Sequence, residues 1–378
     1  MEKIKLGDLC NPCQGQIKVQ PGTIIDYIDI SSIDNNCKTV SGYQTMTFAE
    51  APSRARKAVK KGNILVSTVR PNLNAVAIVE DSTPNMTVAS TGFCVLDCKE
   101  NVDKRFVFNF CKSKVFIDEM VAQATGASYP AVSDKIVRAA SVPSYSFHDQ
   151  IKIGEILDKV TLIIAKRKSE LIYLDNLVKA RFVEMFVGKD YPMRSIDDLS
   201  LSKGEYGAQS ASIEYDSNRP RYVRITDIND DGTLNDDVVS SSKAEDDVQY
   251  KLVYGDFIFA RMGATVGKTY AYKEGNQIFA GYLIRYKLNL EKITPEYLFA
   301  YTRLDEYWNW VKLNQSGAAQ PGINAKKYGS LKIPVPPLSE QKTFRSFIQQ
   351  IDKSKAVIQK SLDEAQLLFD SLMQQYFG

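Results

Sequence analysis

Cys10-Asn11-Pro12-Cys13 has the spacing with which two thiolates hold one side of a zinc ion. Gly263-Ala264-Thr265-Val266-Gly267-Lys268-Thr269 approximates a phosphate-cradling loop, yet that loop needs four residues between its glycines and this segment has three. His148 is the single histidine, so no histidine-dependent triad and no His-rich metal site can be assembled. No Asn/Asp-Pro-Pro-Tyr/Phe run, the grip of an amino-methyltransferase on its target base, is present. The proline-rich run Ile333-Pro334-Val335-Pro336-Pro337 reads as a rigid lead into a helix. No catalytic constellation remains.

Two clusters of cations do remain. Arg54, Arg56, Lys57, Lys60 and Lys61 form one, and Arg219, Arg221 and Arg224 the other. Net charge is only +3, but a basic stripe can hide in a near-neutral total. Either cluster could equally be a solvated face.

The elements that must position these groups are written twice. Tyr27-Ile28-Asp29-Ile30-Ser31-Ser32-Ile33 returns as Tyr222-Val223-Arg224-Ile225-Thr226-Asp227-Ile228. Gly62-Asn63-Ile64-Leu65-Val66 returns as Gly255-Asp256-Phe257-Ile258-Phe259, and Gly126-Ala127-Ser128-Tyr129-Pro130 as Gly317-Ala318-Ala319-Gln320-Pro321. The period, near 190, excludes a solenoid, whose units run about 20–50 residues. It predicts two similar domains related by a pseudo-twofold. All six cysteines lie in the first copy, and the second has Ser200 and Lys203 where Cys10 and Cys13 stand. A metal that the fold required should appear in both copies, so structural thiols are the expectation and zinc the alternative.

With 44% apolar and 25% charged residues the chain is globular in type rather than disordered. No run of 18 apolar residues and no signal peptide is seen, so no membrane is expected and the location is cytoplasmic.

Each copy divides into a mixed front part and a helical end. Front parts at 1–147 and 189–337 read as α+β. Strands are predicted at 62–68, 75–79, 255–260 and 282–288, and helices at 103–122 and 295–313. The ends, 148–188 and 338–378, carry apolar seams at alternating spacings of four and three. One runs Ile153, Leu157, Val160, Ile164, Arg167, Leu171, Leu174, Val178, Arg181, Met185. The other runs Phe344, Ile348, Ile351, Lys355, Ile358, Leu362, Ala365, Phe369, Leu372, Tyr376. A helix of this length, about 58 Å, needs a partner along its seam, and the other copy's helix, packed antiparallel as a coiled coil, is the economical one.

A duplicated α+β domain, each copy closing with a Pro-Pro-Leu-Ser-Glu-Gln-type lead into a long helix, resembles the specificity subunit of type I restriction–modification systems. The residues that carry this are 333–341 with the helix to Gly378, the weaker first-copy version from Val142-Pro143 to Gln150, and Gly255-Asp256-Phe257-Ile258 followed by Arg261-Met262-Gly263. The first copy departs from the pattern at Ser144-Tyr145-Ser146-Phe147-His148. The resemblance implies a non-catalytic subunit in which two target-recognition domains are held apart by an antiparallel pair of long helices. Double-stranded DNA would be the ligand, as a bipartite asymmetric target. The implied partners are two methyltransferase subunits, which bind S-adenosylmethionine, and restriction/translocase subunits, which use ATP and Mg. No cofactor is expected on this chain.

Side chains that read bases must enter the major groove, where arginine pairs with guanine and Asn or Gln with adenine. The loops offer Arg70, Asn72, Asn74, Ser128 and Tyr129 in the first copy, and Arg261, Thr265, Lys268, Gln320 and Asn324 in the second. Lys57, Lys60, Lys326 and Lys327 suit phosphates by type. The competing reading is a non-enzymatic scaffold, with two protein-binding domains on a coiled coil. Salt-dependent DNA binding separates the two.

Overall fold

The structure, a computed structural model, describes residues 2–13, 15–81, 83–317 and 321–378. The chain divides into two units, one of Met1–Ser169 with Gln359–Gly378, the other of Glu170–Ile358. Each unit therefore holds the front part of one copy and portions of both long helices, Phe147–Phe186 and Leu338–Phe377. Among the described residues no helix is long and apolar enough to cross a membrane.

In the first unit, Lys3–Lys5 pairs antiparallel with Ser141–Pro143, so the two ends of the front part meet. Strand Ile64–Ser67 lies between Phe93–Leu96 and Val76–Ile78, antiparallel to both. Side chains alternate along a strand. Ile64 and Val66 face a core with Phe106, Phe110 and Cys94, while Leu65 faces a second core with Ile28, Ala89 and Phe93. Burial on both faces explains why this segment reads as continuously apolar rather than alternating. Ile24–Ile28 runs parallel to Met86–Ser90 in a second sheet.

The second unit repeats this plan. Met193–Ser195 pairs with Lys332–Pro334, Asp256–Ala260 lies between Leu283–Lys287 and Thr269–Ala271, and Arg221–Val223 runs parallel to Gln277–Phe279. Phe257 and Phe259 join a core with Tyr286, Tyr297 and Tyr328, whereas Ile258 and Ala260 join one with Val223 and Phe279.

The helix expected at 103–122 is two helices, Lys104–Lys112 and Lys114–Gln123. Ser113 between them is extended, and its hydroxyl accepts from the Phe116 N–H, which starts the second helix afresh. The helix expected at 295–313 likewise divides, into Pro295–Tyr301 and Asp305–Asn314.

Both long helices have 40 residues. In the first unit, Ile153 and Leu157 from the start of one share a core with Met373 and Phe377 from the end of the other. Phe377 meets Phe106 and Phe110 at ring-centroid distances of 5.3 and 5.8 Å. In the second unit, Phe182 and Phe186 from the end of the first helix meet Phe344 from the start of the second at 5.4 and 5.5 Å. Lys355 pairs with Asp175 there. Burial drifts off the expected seam toward each helix end: Phe182 and Phe186 are buried rather than Arg181 and Met185, and Met373 and Phe377 rather than Leu372 and Tyr376. The reason is geometric. A straight helix turns once per 3.6 residues, so a seam spaced at 3.5 slips by about 20° per heptad, nearly one residue position over five heptads.

Candidate nucleic-acid interface

In the first unit the chain leaves strand Ile64–Ser67, makes a short 3-10 turn at Pro71–Leu73 and returns as Val76–Ile78. A second loop lies against this turn, because Val69 and Thr125 each bridge to Ala131 and the Arg70 N–H donates to the Pro130 carbonyl at 2.7 Å. The second unit builds the same rim. Met262 and Ser316 each bridge to Gly322, and the Gly263 N–H donates to the Pro321 carbonyl at 2.9 Å. Arg70 and Gly263 are thus equivalent, and both are left-handed, with φ of 49° and 69°. Glycine holds that conformation without strain, whereas a side chain there costs about 1–3 kcal/mol. Asn74, at the other end of the turn, is left-handed as well, at φ 47°.

The Arg70 guanidinium lies over the Tyr129 ring, 4.8 Å from its centroid. Tyr129 is 69% exposed, and Asn72, Leu73 and Ser128 are exposed beside it. In the second unit Arg261 lies over Tyr206 at 4.9 Å and Tyr282 at 5.6 Å, with its Nε donating to the Gly281 carbonyl at 3.2 Å. The Arg261 carbonyl accepts from Ile323 N–H as that of Thr68 accepts from Val132, so the two stacked arginines reach matching rims from different backbone positions.

Most other candidate cations are engaged internally. Lys57 donates to the Phe93 carbonyl and pairs with Asp134 at 2.5 Å. Arg54 pairs with Asp29 at 2.5 Å and donates to the Tyr27 hydroxyl. Lys60 pairs with Asp97 at 3.0 Å while staying largely exposed. Arg56 donates to the Ala55 carbonyl and lies over Phe48. Arg219 pairs with Asp216 at 3.4 Å, Arg221 donates to the Asn235 carbonyl at 2.6 Å, and Arg224 pairs with Asp227 and Asp237 at 2.7 and 2.8 Å. The Asp227 carboxylate, chiefly through its hydrogen bonds, holds the Arg224 guanidinium more firmly charged than usual. Lys268 reaches Asp230 at 2.8 Å and, mainly through that hydrogen bond, lowers its carboxyl below the usual range.

Asn74 is buried, its amide spent on the Cys111 carbonyl at 2.8 Å. The Thr265 hydroxyl donates to the Met262 carbonyl. Asn324 caps helix Ala325–Ser330 by accepting from Lys327 N–H, and the Lys327 ammonium donates to the Asn314 carbonyl at 2.7 Å. Lys326 is exposed. Gln320 lies outside the described residues. The segment 263–269, with its phosphate-loop look, is a 3-10 turn followed by a strand of a hairpin. Sequence reasoning missed Tyr206 and Tyr282. The signal for Tyr282 was an aromatic directly after Gly281 at a chain reversal.

Cys10 stands opposite Cys98 in an antiparallel bridge, and a hydrogen bond from Cys98 lowers the Cys10 thiol below its ordinary value. All six cysteines are free, with Cys10, Cys94 and Cys111 buried. Among the described residues no group of three His, Cys, Asp or Glu side chains is placed to hold a metal ion.

Residues 189–367 match the model of the type I restriction modification DNA specificity domain. The chain is 30% identical over 145 residues to a putative type I restriction enzyme MjaX specificity subunit of Methanocaldococcus jannaschii, covering 37% of this chain and 34% of the relative. It is 28% identical over 174 residues to the HindI specificity subunit of Haemophilus influenzae, covering 43% of this chain and 37% of the relative. The matched segments thus span little more than a third of those relatives. Over 100% of the chain, the fold is similar to a chain solved in a study of type I R-M complex assembly, with TM-score 0.63, 23% identity and 97% of that chain covered. It is also similar to the S subunit of a type I restriction–modification system from M. genitalium, with TM-score 0.62, 13% identity and 96% covered. Family match and aligned relatives agree: residues 189–367 carry the type I restriction modification DNA specificity domain, and the chain is similar to specificity subunits of type I restriction–modification systems.

Proposed function

We propose that the chain is the non-catalytic DNA-recognition subunit of such a system, located in the cytoplasm, and that it binds a bipartite, asymmetric target through its two α+β front parts. The observation that carries this reading is the repeated rim. Each unit offers a tyrosine-stacked arginine on the matching rim, reached from a different backbone position, on loops that share almost no residues between the copies. Similar scaffolds with unlike loops suit two unlike half-sites. Arg70, Asn72, Ser128, Tyr129, Arg261 and Asn324 are then base-facing groups, and Lys60 and Lys326 phosphate-facing ones.

In this reading the long helices are an antiparallel coiled-coil spacer relating the copies by a pseudo-twofold. The regions 1–147 and 189–337 are target-recognition domains, and 148–188 and 338–378 the spacer. The spacer also docks two methyltransferase subunits, to which restriction/translocase subunits join. S-adenosylmethionine belongs to the former and ATP with Mg to the latter, and this chain holds none of them.

The test is methylome sequencing of cells with and without the gene, together with a chain whose residues 1–147 come from another family member. Loss of one interrupted adenine-methylated motif on deletion, and a change confined to one half of that motif on exchange, are expected. Methyl transfer by the purified chain alone, or a change in both halves, would sink the proposal.

A further inference from the structure

The candidate arginines and lysines of the two units differ in what already holds them. Arg54, Lys57, Lys60, Arg219, Arg224 and Lys268 are each paired with a carboxylate. Among the described residues Arg70 and Arg261 make no such pair, and both lie against tyrosine rings. Stacking fixes the plane of a guanidinium while leaving its in-plane N–H groups free. Arg261 spends only its Nε, on the Gly281 carbonyl, which anchors the base of the fork and leaves both terminal nitrogens without a hydrogen-bond partner among the described residues. Arg70 sits on a left-handed backbone that its equivalent fills with glycine, so the turn itself does not require a side chain there.

A planar fork whose terminal N–H groups have no internal acceptor matches one base edge, the O6 and N7 of guanine in the major groove. We propose that Arg70 and Arg261 are specificity-determining residues, each reading a guanine in its own half-site, with Tyr129 and the Tyr206–Tyr282 pair as positioning residues. This rests on the DNA-recognition reading above.

The test selects duplexes from a randomised pool with the full chain assembled with its methyltransferase partner, followed by sequencing. Arg70→Gly suits the left-handed backbone, as Gly263 does, and so removes the fork without straining the turn. Arg261→Gln is its counterpart, with Tyr282→Ala as a second variant, and melting temperatures establish that each variant folds. The wild type should return a fixed guanine in each half-site. Arg70→Gly should reduce the guanine preference at one position of one half-site by roughly 5- to 150-fold, the range for one bidentate pair. Arg261→Gln should do so in the other half only, and Tyr282→Ala should weaken the same position without replacing the base. A uniform loss at every position, the mark of a phosphate contact, overturns the assignment. So does an unaltered motif, or a half-site without guanine. A wild-type pool with no motif at all would remove the DNA-recognition reading itself, and the assignment with it.

Discussion

The side-chain oxygen of Gln341 accepts from the backbone N–H of Thr294 at 2.9 Å, and its amide donates to the carbonyls of Pro336 and Lys292 at 2.9 and 3.1 Å. Thr294 is itself the cap of helix Pro295–Tyr301. In the first unit Gln150 does the same for Asp103, the cap of Lys104–Lys112, at 3.1 Å. The glutamine that recurs near the start of each long helix is therefore a buried clamp between that helix and the cap of another.

Gln341→Ala should leave the buried Thr294 N–H and Pro336 carbonyl, and the part-buried Lys292 carbonyl, without this partner. A loss of about 2–4 kcal/mol is expected, since an unsatisfied buried group costs about 1–3 kcal/mol. Denaturant unfolding measures it, and a loss below half a kcal/mol would contradict the clamp.

Arg285 is buried between Asp256 at 3.4 Å and Glu205 at 2.5 Å. Burial raises the Asp256 carboxyl above its ordinary range, against the opposing pull of the Val253 N–H and Arg285. Arg285→Met should cost about 3–5 kcal/mol by stranding that carboxylate. Adding Asp256→Leu should recover much of the loss in the same unfolding assay.

Lys112 lies over Phe108 and Phe369 at 4.4 and 5.7 Å, and burial pushes its ammonium from 10.5 down to about 8, offset in part by Asp158 and reinforced by Lys38. Between pH 8 and 10.5 the unfolded chain holds this proton and the folded chain does not, so the residue's contribution to stability rises with pH across that window. Lys112→Met should raise the melting temperature most below pH 8, and the gain should shrink toward pH 10.5. Melting curves of both proteins across this range test it, and a gain that grows with pH would reverse the assigned sign.

If the long helices set the spacing of the half-sites, four residues inserted into each, after Leu171 and after Ile358, should add about 6 Å. With DNA rising about 3.4 Å per base pair, the gap in the methylated motif should lengthen by one or two base pairs while both half-sites persist. An unchanged gap in an active complex would mean that something else is the ruler.

The repeat, the strand at 64–67 and its partner at 256–260, and both long helices were legible because each rests on a strong local pattern. The paired helices at 104–123 were not seen as two, since a single serine cap at Ser113 decides the break and the apolar pattern runs through it. The rim was legible only by residue type. Asn74 and Lys57 had the right chemistry, yet their polar groups are spent on Cys111 and Asp134, partners 37 and 77 residues away. Tyr206 and Tyr282 became visible only when the fold placed them under Arg261.

Phe377 completes a core it shares with Phe106 and Phe110, which leave the ribosome long before it. Translation must therefore pass through the whole second copy before the first copy's helical core can be sealed. Until then Phe106, Phe110, Ile153 and Leu157 share an unfilled apolar cleft in the nascent chain, open to chaperones or to another polypeptide's helix. The second unit, drawn from the continuous stretch Glu170–Ile358, carries no such delay. Synthesis order and folding order are reversed: the half made first is the half finished last.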